Sequence, residues 1–193
     1  MSVARALLRQ ARHAGFSYRC FHVMRLPLTS QTAPDATPPP GLAFLSVDPQ
    51  IIERSADEVI RDTAWYGGPG GEGFALARDG RILSLQWIWH GERLQRADFW
   101  SFKQEDAVSM HLVTVPDARG HGLATDLKRL TAARMRERGF TCIYSRIWWT
   151  NEPSLRVSKK VGWARVGTTL SVMLPWRQMP LEWRWQRCSH AGR

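Results

Sequence analysis

The chain has too few cysteines, too widely spaced, to be held together by them. Cys20, Cys142 and Cys188 are odd in number and form no Cys-x-x-Cys pair. This excludes a disulfide framework and a zinc ribbon, and it makes a reducing cytosol the expected location. The six histidines form no metal-binding pair at helical spacing, so no metal is expected. No apolar run approaches the ~20 residues of a membrane span. Acids are scarce: 17 Asp and Glu face 27 Lys and Arg, a net charge of +10. Such a surface favours anionic partners, phosphate-bearing small molecules first, then nucleic acid or acidic lipid. Its plainest consequences are solubility and capture of a small anion. A length of 193 residues suits one domain with a full core and is short for two.

Two familiar phosphate motifs are also missing. No Lys follows Gly122, so no nucleotide P-loop forms there, and Thr125 stands where a dinucleotide fingerprint needs its third glycine. What is present is Val113-Thr-Val-Pro-Asp-Ala-Arg-Gly-His-Gly-Leu-Ala-Thr125. A β-branched run stops at Pro116, and a helix reads on through Leu123, Leu127, Leu130 and Met135 until Gly139 closes it. Strand, glycine turn and helix start together offer unpaired N–H groups and the positive end of a helix dipole, a seat for phosphate or pyrophosphate. Gly120 and Gly122 keep Cβ atoms out of the anion's way, and Arg119 adds fixed positive charge.

This segment resembles the acyl-CoA signature of the GNAT N-acetyltransferase superfamily, Arg/Gln-x-x-Gly-x-Gly/Ala, filled here by Arg119, Gly122 and Ala124. A second match follows about thirty residues on. Asn151-Glu-Pro-Ser154-Leu-Arg-Val-Ser158-Lys-Lys160-Val-Gly162-Trp163 is similar to the family's Asn-x-x-Ala-x-x-x-Tyr-x-Lys-x-Gly-Phe. The resemblance covers roughly residues 42 to 175. It implies an α/β (α+β) fold: a mixed, mostly antiparallel central sheet flanked by helices and splayed where CoA inserts. It also implies acetyl-CoA as co-substrate and an N-acyltransferase activity.

The expected elements agree with that order. They are strands at Tyr18–Leu28, Gly41–Val47, Gly73–Ala77, Arg81–Trp89, Ala107–Val115, Cys142–Trp148 and Ala164–Leu174. Ala97–Phe102 is a further meander strand. Asp79-Gly80 is a hairpin turn, and Asp48-Pro49 starts a helix running to about Ile60. Another helix covers Pro153–Val161. Three parts follow: an N-terminal extension at 1–40, the acyltransferase domain at 41–175 and a Trp/Arg-rich tail at 176–193. In the extension, Met1 to Arg12 carries Arg5, Arg9 and Arg12 without an acid. That composition would suit a transit peptide but lacks an h-region and cleavage site, so it reads as an amphipathic helix docking on the domain. The Thr29–Pro40 stretch is a linker or exposed loop. In the tail, Trp183-Arg184-Trp185-Gln-Arg187 interleaves aromatics and cations. Nucleic-acid stacking, a membrane interface, or a strand completing the sheet or a homodimer all fit, and a short single tail favours the last.

By resemblance, the backbones of Val113 and Val115 pair with the pantetheine arm as an added strand. Arg119, Gly120, His121, Gly122, Leu123, Ala124 and Thr125 hold the pyrophosphate. Asn151, with Ser154, contacts pantetheine or an ordered water, and Asn151 also suits a helix N-cap. The family's thiolate-protonating Tyr is replaced by Ser158, a far poorer proton donor. Either Ser158 acts through water, Tyr144 substitutes, or the thiolate leaves unaided. Candidate bases are Glu105 and Asp106 at the start of a strand, and His111 within it. Alternation places Ser109, His111 and Val113 on one face. Among the 10 tryptophans, Trp87 and Trp89 share a strand face, whereas Trp148 and Trp149 point to opposite faces; core packing accounts for most such residues. The acceptor is a small-molecule or peptide amine. The alternatives are a non-catalytic CoA-binding module and a basic RNA-associated acetyltransferase.

Overall fold

The strand that follows the N-terminal basic segment does not lie on the domain; it runs inside the sheet. The computed structural model describes residues 17–177 and 179–186. The amphipathic helix expected at 1–12 and the last tail residues, with Arg187 and Cys188, lie outside the described residues. Eight strands form one sheet in the order β2-β3-β4-β5-β6-β1-β7-β8. They are β1 (Ser17–Pro27), β2 (Ala43–Val47), β3 (Gly71–Arg78), β4 (Arg81–Trp89), β5 (Asp106–Thr114), β6 (Cys142–Trp148), β7 (Ala164–Met173) and β8 (Leu181–Gln186). The helices are α1 (Pro49–Glu53), α2 (Glu58–Arg61), α3 (Leu123–Glu137) and α4 (Glu152–Lys160). All neighbours pair antiparallel except β5 and β6, which are joined through α3 and run parallel. This is the mixed, mostly antiparallel sheet that the family resemblance implied.

The boundary expected at residue 40 therefore falls within one continuous sheet. β1 pairs with β6 from Phe21↔Trp148 to Pro27↔Cys142 and with β7 along its other edge. Its Val23 and Leu26 are fully buried. At the other end, β8 pairs with β7, so the Trp/Arg segment completes the sheet.

Two expectations fail for local reasons. The helix from Asp48 is capped as expected, Asp48 accepting from Ile51 N at 3.0 Å, but it ends at Glu53 and resumes at Glu58. In the break, Ser55 Oγ accepts from Asp57 N at 3.3 Å, so a side chain takes over a backbone donor. Residues 97–102 form no strand, because both edges of β4 are taken by β3 and β5. A 3-10 turn at Gly91–Arg96 leads instead into a loop that buries Leu94, Ala97 and Phe99 against Val23, Trp89 and Val108.

Helix α3 buries Leu123, Leu127, Leu130 and Met135 as its spacing required, and Gly139 (φ 86°) ends it. Trp87 is fully buried and donates its indole N–H to Thr63 Oγ1 at 2.9 Å, which makes it core. Trp89 is buried as well.

If β1 is integral, Leu26→Ala leaves a cavity in the middle of the sheet and destabilises the chain by about 2–5 kcal/mol. Urea unfolding of the full chain measures this; a loss below about 0.5 kcal/mol would mark the strand as peripheral.

Candidate functional site

Strands β5 and β6 part company after three residue pairs. The ladder holds Asp106↔Cys142, Ala107↔Ile143 and Val108↔Tyr144 and then stops. At the fork, the Ser145 hydroxyl donates to Ser109 O at 3.0 Å, satisfying a carbonyl that the departing strand leaves behind. On the other side of β5, the register with β4 passes from Trp87↔His111 to Ile88↔Ser109, so Met110 is the extra residue of a β-bulge. Successive β4 residues face opposite ways, and cross-strand partners share a face. Ser109 and His111 therefore lie on opposite faces, not together as simple alternation predicted.

The fork opens a cleft of about 180 Å³. Its walls are Ser109–Leu112 of β5 and Ser145–Trp148 of β6, with Lys128 from α3 and Asn151 and Ser154 from α4. The backbone offered to the cleft differs from the one expected. Val115 N donates to Leu83 O of β4 at 2.9 Å. Alternate residues point their backbone groups to opposite edges, so Val113 and Val115 face β4, while Leu112 and Thr114 face the open side. An extended ligand in the fork meets Leu112 and Thr114, not Val113 and Val115. Which edge an amide faces depends on ladder phase, and the sequence carries no sign of that phase.

Beyond the strand, a 3-10 turn at Pro116–Ala118 leads into Arg119 and the glycine turn. Gly120 (φ 86°) and Gly122 (φ 84°) both adopt left-handed backbone, which a side chain would strain. Space within the protein does not demand them: a Cβ on Gly120 meets nothing within 4 Å. Thr125 N and Asp126 N both donate to Gly122 O, at 2.8 and 3.1 Å. Among the described residues, the amides of Gly120, His121, Gly122, Leu123 and Ala124 donate to no protein acceptor. Consecutive free amides at the start of a fifteen-residue helix make a concave donor surface for an anion. Thr125, its amide already engaged, is not part of that set. Arg119 is exposed and folds its Nε back onto Thr114 O at 3.1 Å, while His121 Nδ1 pairs with Arg119 O at 3.0 Å.

An ion network fixes the turn from behind. Arg81 at the start of β4 forks onto Asp57 at 2.8–2.9 Å and onto Asp117 at 2.7 Å. The guanidinium between them holds both carboxyl groups below the ordinary aspartate range. Because Asp117 belongs to the 3-10 turn, this ties the anion seat to the hairpin and to α2.

The second signature folds as a cap and a reversal. Asn151 Oδ1 accepts from Ser154 N at 3.3 Å, capping α4, while both residues line the cleft. Cap and lining are thus shared by one side chain, as anticipated. Gly162 (φ 90°) turns the chain, with Trp163 N returning to Ser158 O at 3.1 Å, and places the Trp163 ring beneath α3.

The candidate bases scatter. Asp106 is buried, accepts from Lys103 N at 2.8 Å, and sits at the closed end of the β5–β6 ladder. Glu105 precedes it, its carbonyl accepting from Thr141 N. At about 3.3 Å per residue, both lie more than ~10 Å along the strand from the bulge. Both therefore stand at the closed end of the ladder, where the Asp106 carboxylate caps its own loop. His111 does line the cleft, its ring stacked on Tyr66 with centroids 5.2 Å apart, and burial lowers its pKa. Tyr144 falls in the paired segment, its ring packed on Phe102, and is not part of the cleft lining.

Sequence reasoning missed Lys128. It is 4 % exposed, donates from Nζ to Ser158 Oγ at 3.1 Å, and sits 4.1 Å over the Trp163 ring. Ser158 is fully buried behind it. No carboxylate pairs with Lys128 among the described residues, and burial brings its pKa down to about 7. Its position, three and seven residues before Thr131 and Met135 in the buried stripe of α3, was the available signal. Among the described residues no group of His, Cys, Asp or Glu could hold a metal, and no helix is long and apolar enough to cross a membrane.

No sequence-family model matches the chain, and no curated protein resembles it in sequence. In three dimensions it is similar to a protein assigned to the GNAT family from Novosphingobium aromaticivorans, with a TM-score of 0.57 and 18% identity over 81% of this chain and 63% of that one. It is also similar to GCN5-related N-acetyltransferases from Sphaerobacter thermophilus (TM-score 0.59, 14% identity, 88% of this chain and 56% of that one) and Kribbella flavida (0.54, 13%, 88% and 62%). The chain thus spans little more than half the length of these proteins. It has the GNAT fold.

Lys128 makes stability depend on pH in a defined direction. Its folded pKa, about 7, lies below the ordinary 10.5, so between these values the unfolded chain binds the extra proton and stability rises with pH. The buried charge costs most at and below pH 7. Lys128→Met, an apolar near-isostere, therefore stabilises the protein at pH 6, by at least about 1 kcal/mol more than at pH 9.5. Paired denaturant titrations at the two pH values test this; equal differences would mean that the lysine is not desolvated.

Proposed function

We propose that the protein is an acyl-CoA-dependent N-acyltransferase that transfers an acetyl group from acetyl-CoA to a primary amine by direct attack in a ternary complex. The observation that carries this reading is the row of unpaired amides at 120–124, which the chain reaches a few residues after β5 leaves the fork. A diphosphate on those amides, with Arg119 beside it, sends a pantetheine arm into the fork. There Leu112 and the Thr114 amide offer backbone groups to an added strand, while Arg119 holds the Thr114 carbonyl. The thioester then reaches the bulge at Met110, where ladder pairing is broken and backbone dipoles are free to polarise its carbonyl.

The acceptor is a small or peptide amine approaching beside His111. The exposed Trp65 stacks on Tyr66 with centroids 3.7 Å apart, and Tyr66 stacks on His111, which supports an acceptor with an apolar or planar body. The free thiols of Cys20 and Cys142 support a reducing, cytoplasmic setting.

Titration calorimetry with coenzyme A, followed by thiol release from acetyl-CoA across an amine panel, tests the reading. Arg119→Glu replaces a charged donor by a repelling charge and weakens CoA binding about 10- to 100-fold. Gly122→Val, which strains the turn and intrudes on the anion, does at least as much. Absence of CoA binding by the unaltered chain overturns the proposal. Tight binding with no turnover on any amine favours the non-catalytic module.

A further inference from the structure

The cleft contains a buried cation that no acid pairs with among the described residues. Lys128 reaches it from α3, with Nζ fixed on two sides by the Ser158 hydroxyl at 3.1 Å and the Trp163 ring at 4.1 Å. Both supports come from the second sequence signature: Ser158 from α4, and Trp163 from the reversal at Gly162. Ser158, at the sequence position where the family pattern has a tyrosine, thus holds a long lysine from the neighbouring helix. Ser158 itself is sealed off. It is fully buried, it is not part of the cleft lining, and its oxygen is the acceptor of the lysine's hydrogen bond.

We propose that Lys128 is the catalytic acid of the acyl transfer, giving its proton directly to the departing coenzyme A sulfur, with Ser158 as its positioning residue. This rests on the acyltransferase reading. As the acceptor nitrogen bonds to the thioester carbon, the C–S electron pair moves to sulfur. An N–H bond of the Lys128 ammonium breaks, and an S–H bond forms. The proton lost by the acceptor amine goes to solvent, and the neutral lysine regains one from solvent once the products leave. For an acceptor that attacks as the neutral amine the two exchanges cancel, and no proton is released overall.

The surroundings suit the task. A lysine in water holds its proton too tightly to be an efficient acid near neutrality, whereas burial brings this one close to the working range. The Ser158 oxygen favours the charged form, and the Trp163 face does so as well. The other titratable or charged groups facing the cleft are His111 of β5 and Arg146 of β6; α4 contributes the uncharged Asn151 and Ser154. Arg146 carries a fixed charge. His111, its pKa lowered by burial, loses its proton on the acid side of neutrality. A fall in rate above neutral pH is therefore the signature of Lys128 and not of His111.

Three readouts on the full chain test this: calorimetric binding of coenzyme A, the ultraviolet titration of the bound coenzyme's thiol, and the pH profile of thiol release from acetyl-CoA with hydroxylamine as acceptor. Lys128→Met is expected to bind coenzyme A within about threefold of the unaltered protein. It should lose about 10²- to 10⁴-fold in turnover and its alkaline limb. The bound thiol should titrate at least one pH unit higher than in the unaltered protein. Lys128→Arg, which keeps the charge but not a transferable proton, should preserve the thiol titration without restoring turnover. Ser158→Ala should retain binding and move the alkaline limb to lower pH, a shift that a merely structural serine would not cause; this variant carries the test if Lys128→Met does not fold. Unchanged turnover and thiol titration in a folded Lys128→Met that binds coenzyme A would overturn the assignment. Absence of coenzyme binding by the unaltered protein would instead sink the acyltransferase reading beneath it.

Discussion

Everything of functional interest here follows from one broken ladder. Parallel neighbours β5 and β6 pair for three residues and then diverge, which strands backbone donors and acceptors on two inner edges. A buried, unpaired peptide group costs about as much as a lost hydrogen bond, so a sheet does not come apart in its middle without compensation. The compensation is visible at each point. Ser145 caps the carbonyl of Ser109 at the fork, and the bulge at Met110 turns β5 away while keeping its outer edge paired to β4. The inner edge at Leu112 and at the Thr114 amide is left to solvent or to an extended ligand, the Thr114 carbonyl being taken by Arg119. An open, pre-shaped edge takes an added strand with little reorganisation, because the protein has already met the cost of separation during folding.

The far wall of the fork stands because of β1. Past Tyr144, β6 has no partner on the cleft side, and a strand with one free edge and no support on the other would not hold its place. β1 supplies that support, pairing Phe21 through Met24 with Trp148 through Ser145 while joining β7 behind. The rings of Tyr18 and Phe21 pack on Trp148, whose side chain lines the cleft. What reads as an extension ahead of the domain is therefore the post against which one cleft wall is built. The same geometry explains why β7 and β8 can extend the sheet outward: their ladder is anchored on β1 and not on the divergent pair.

The parts of this arrangement that the sequence made legible are those dictated within a few residues. Left-handed glycines at 120, 122, 139 and 162, the Asp48 and Asn151 caps, and the Pro116 stop are local chemistry, and each occurs where the pattern placed it. The glycine turn even has the free amides that an anion seat requires. What stayed hidden depends on partners distant in sequence. One extra residue at Met110 moves Ser109 and His111 to opposite faces, and a bulge has no signature in a β-branched run. The phase of the β4–β5 ladder turns Leu112 and Thr114, not Val113 and Val115, toward the open side of the fork. Nothing in Tyr18–Leu28 tells which two strands will accept it. Glu105 and Asp106 attracted notice as carboxylates at a strand start, yet that start is the closed end of the fork, where Asp106 caps the backbone of its own loop.

Lys128 is the sharpest case of local and global order disagreeing. Helical periodicity assigns its position to the buried face of α3, while its side chain belongs on the surface. A methionine there would pack equally well and avoid desolvating an ammonium, so packing cannot account for the lysine. A structural ion pair would account for it, but no carboxylate is opposite among the described residues. What the fold provides is a hydroxyl, a tryptophan face and an opening onto a cleft, an environment that leaves the charge incompletely compensated until something negative arrives. A diphosphate on the amides proposed to bind it would not be that group, since they lie at the helix start more than a turn away. Under the proposed acyltransferase reading, the negative charge that belongs at the bottom of the fork is the one that develops on sulfur when a thioester opens. A site left electrostatically incomplete at the point where charge will appear stabilises the transition state more than the resting state, which is the physical requirement for catalysis.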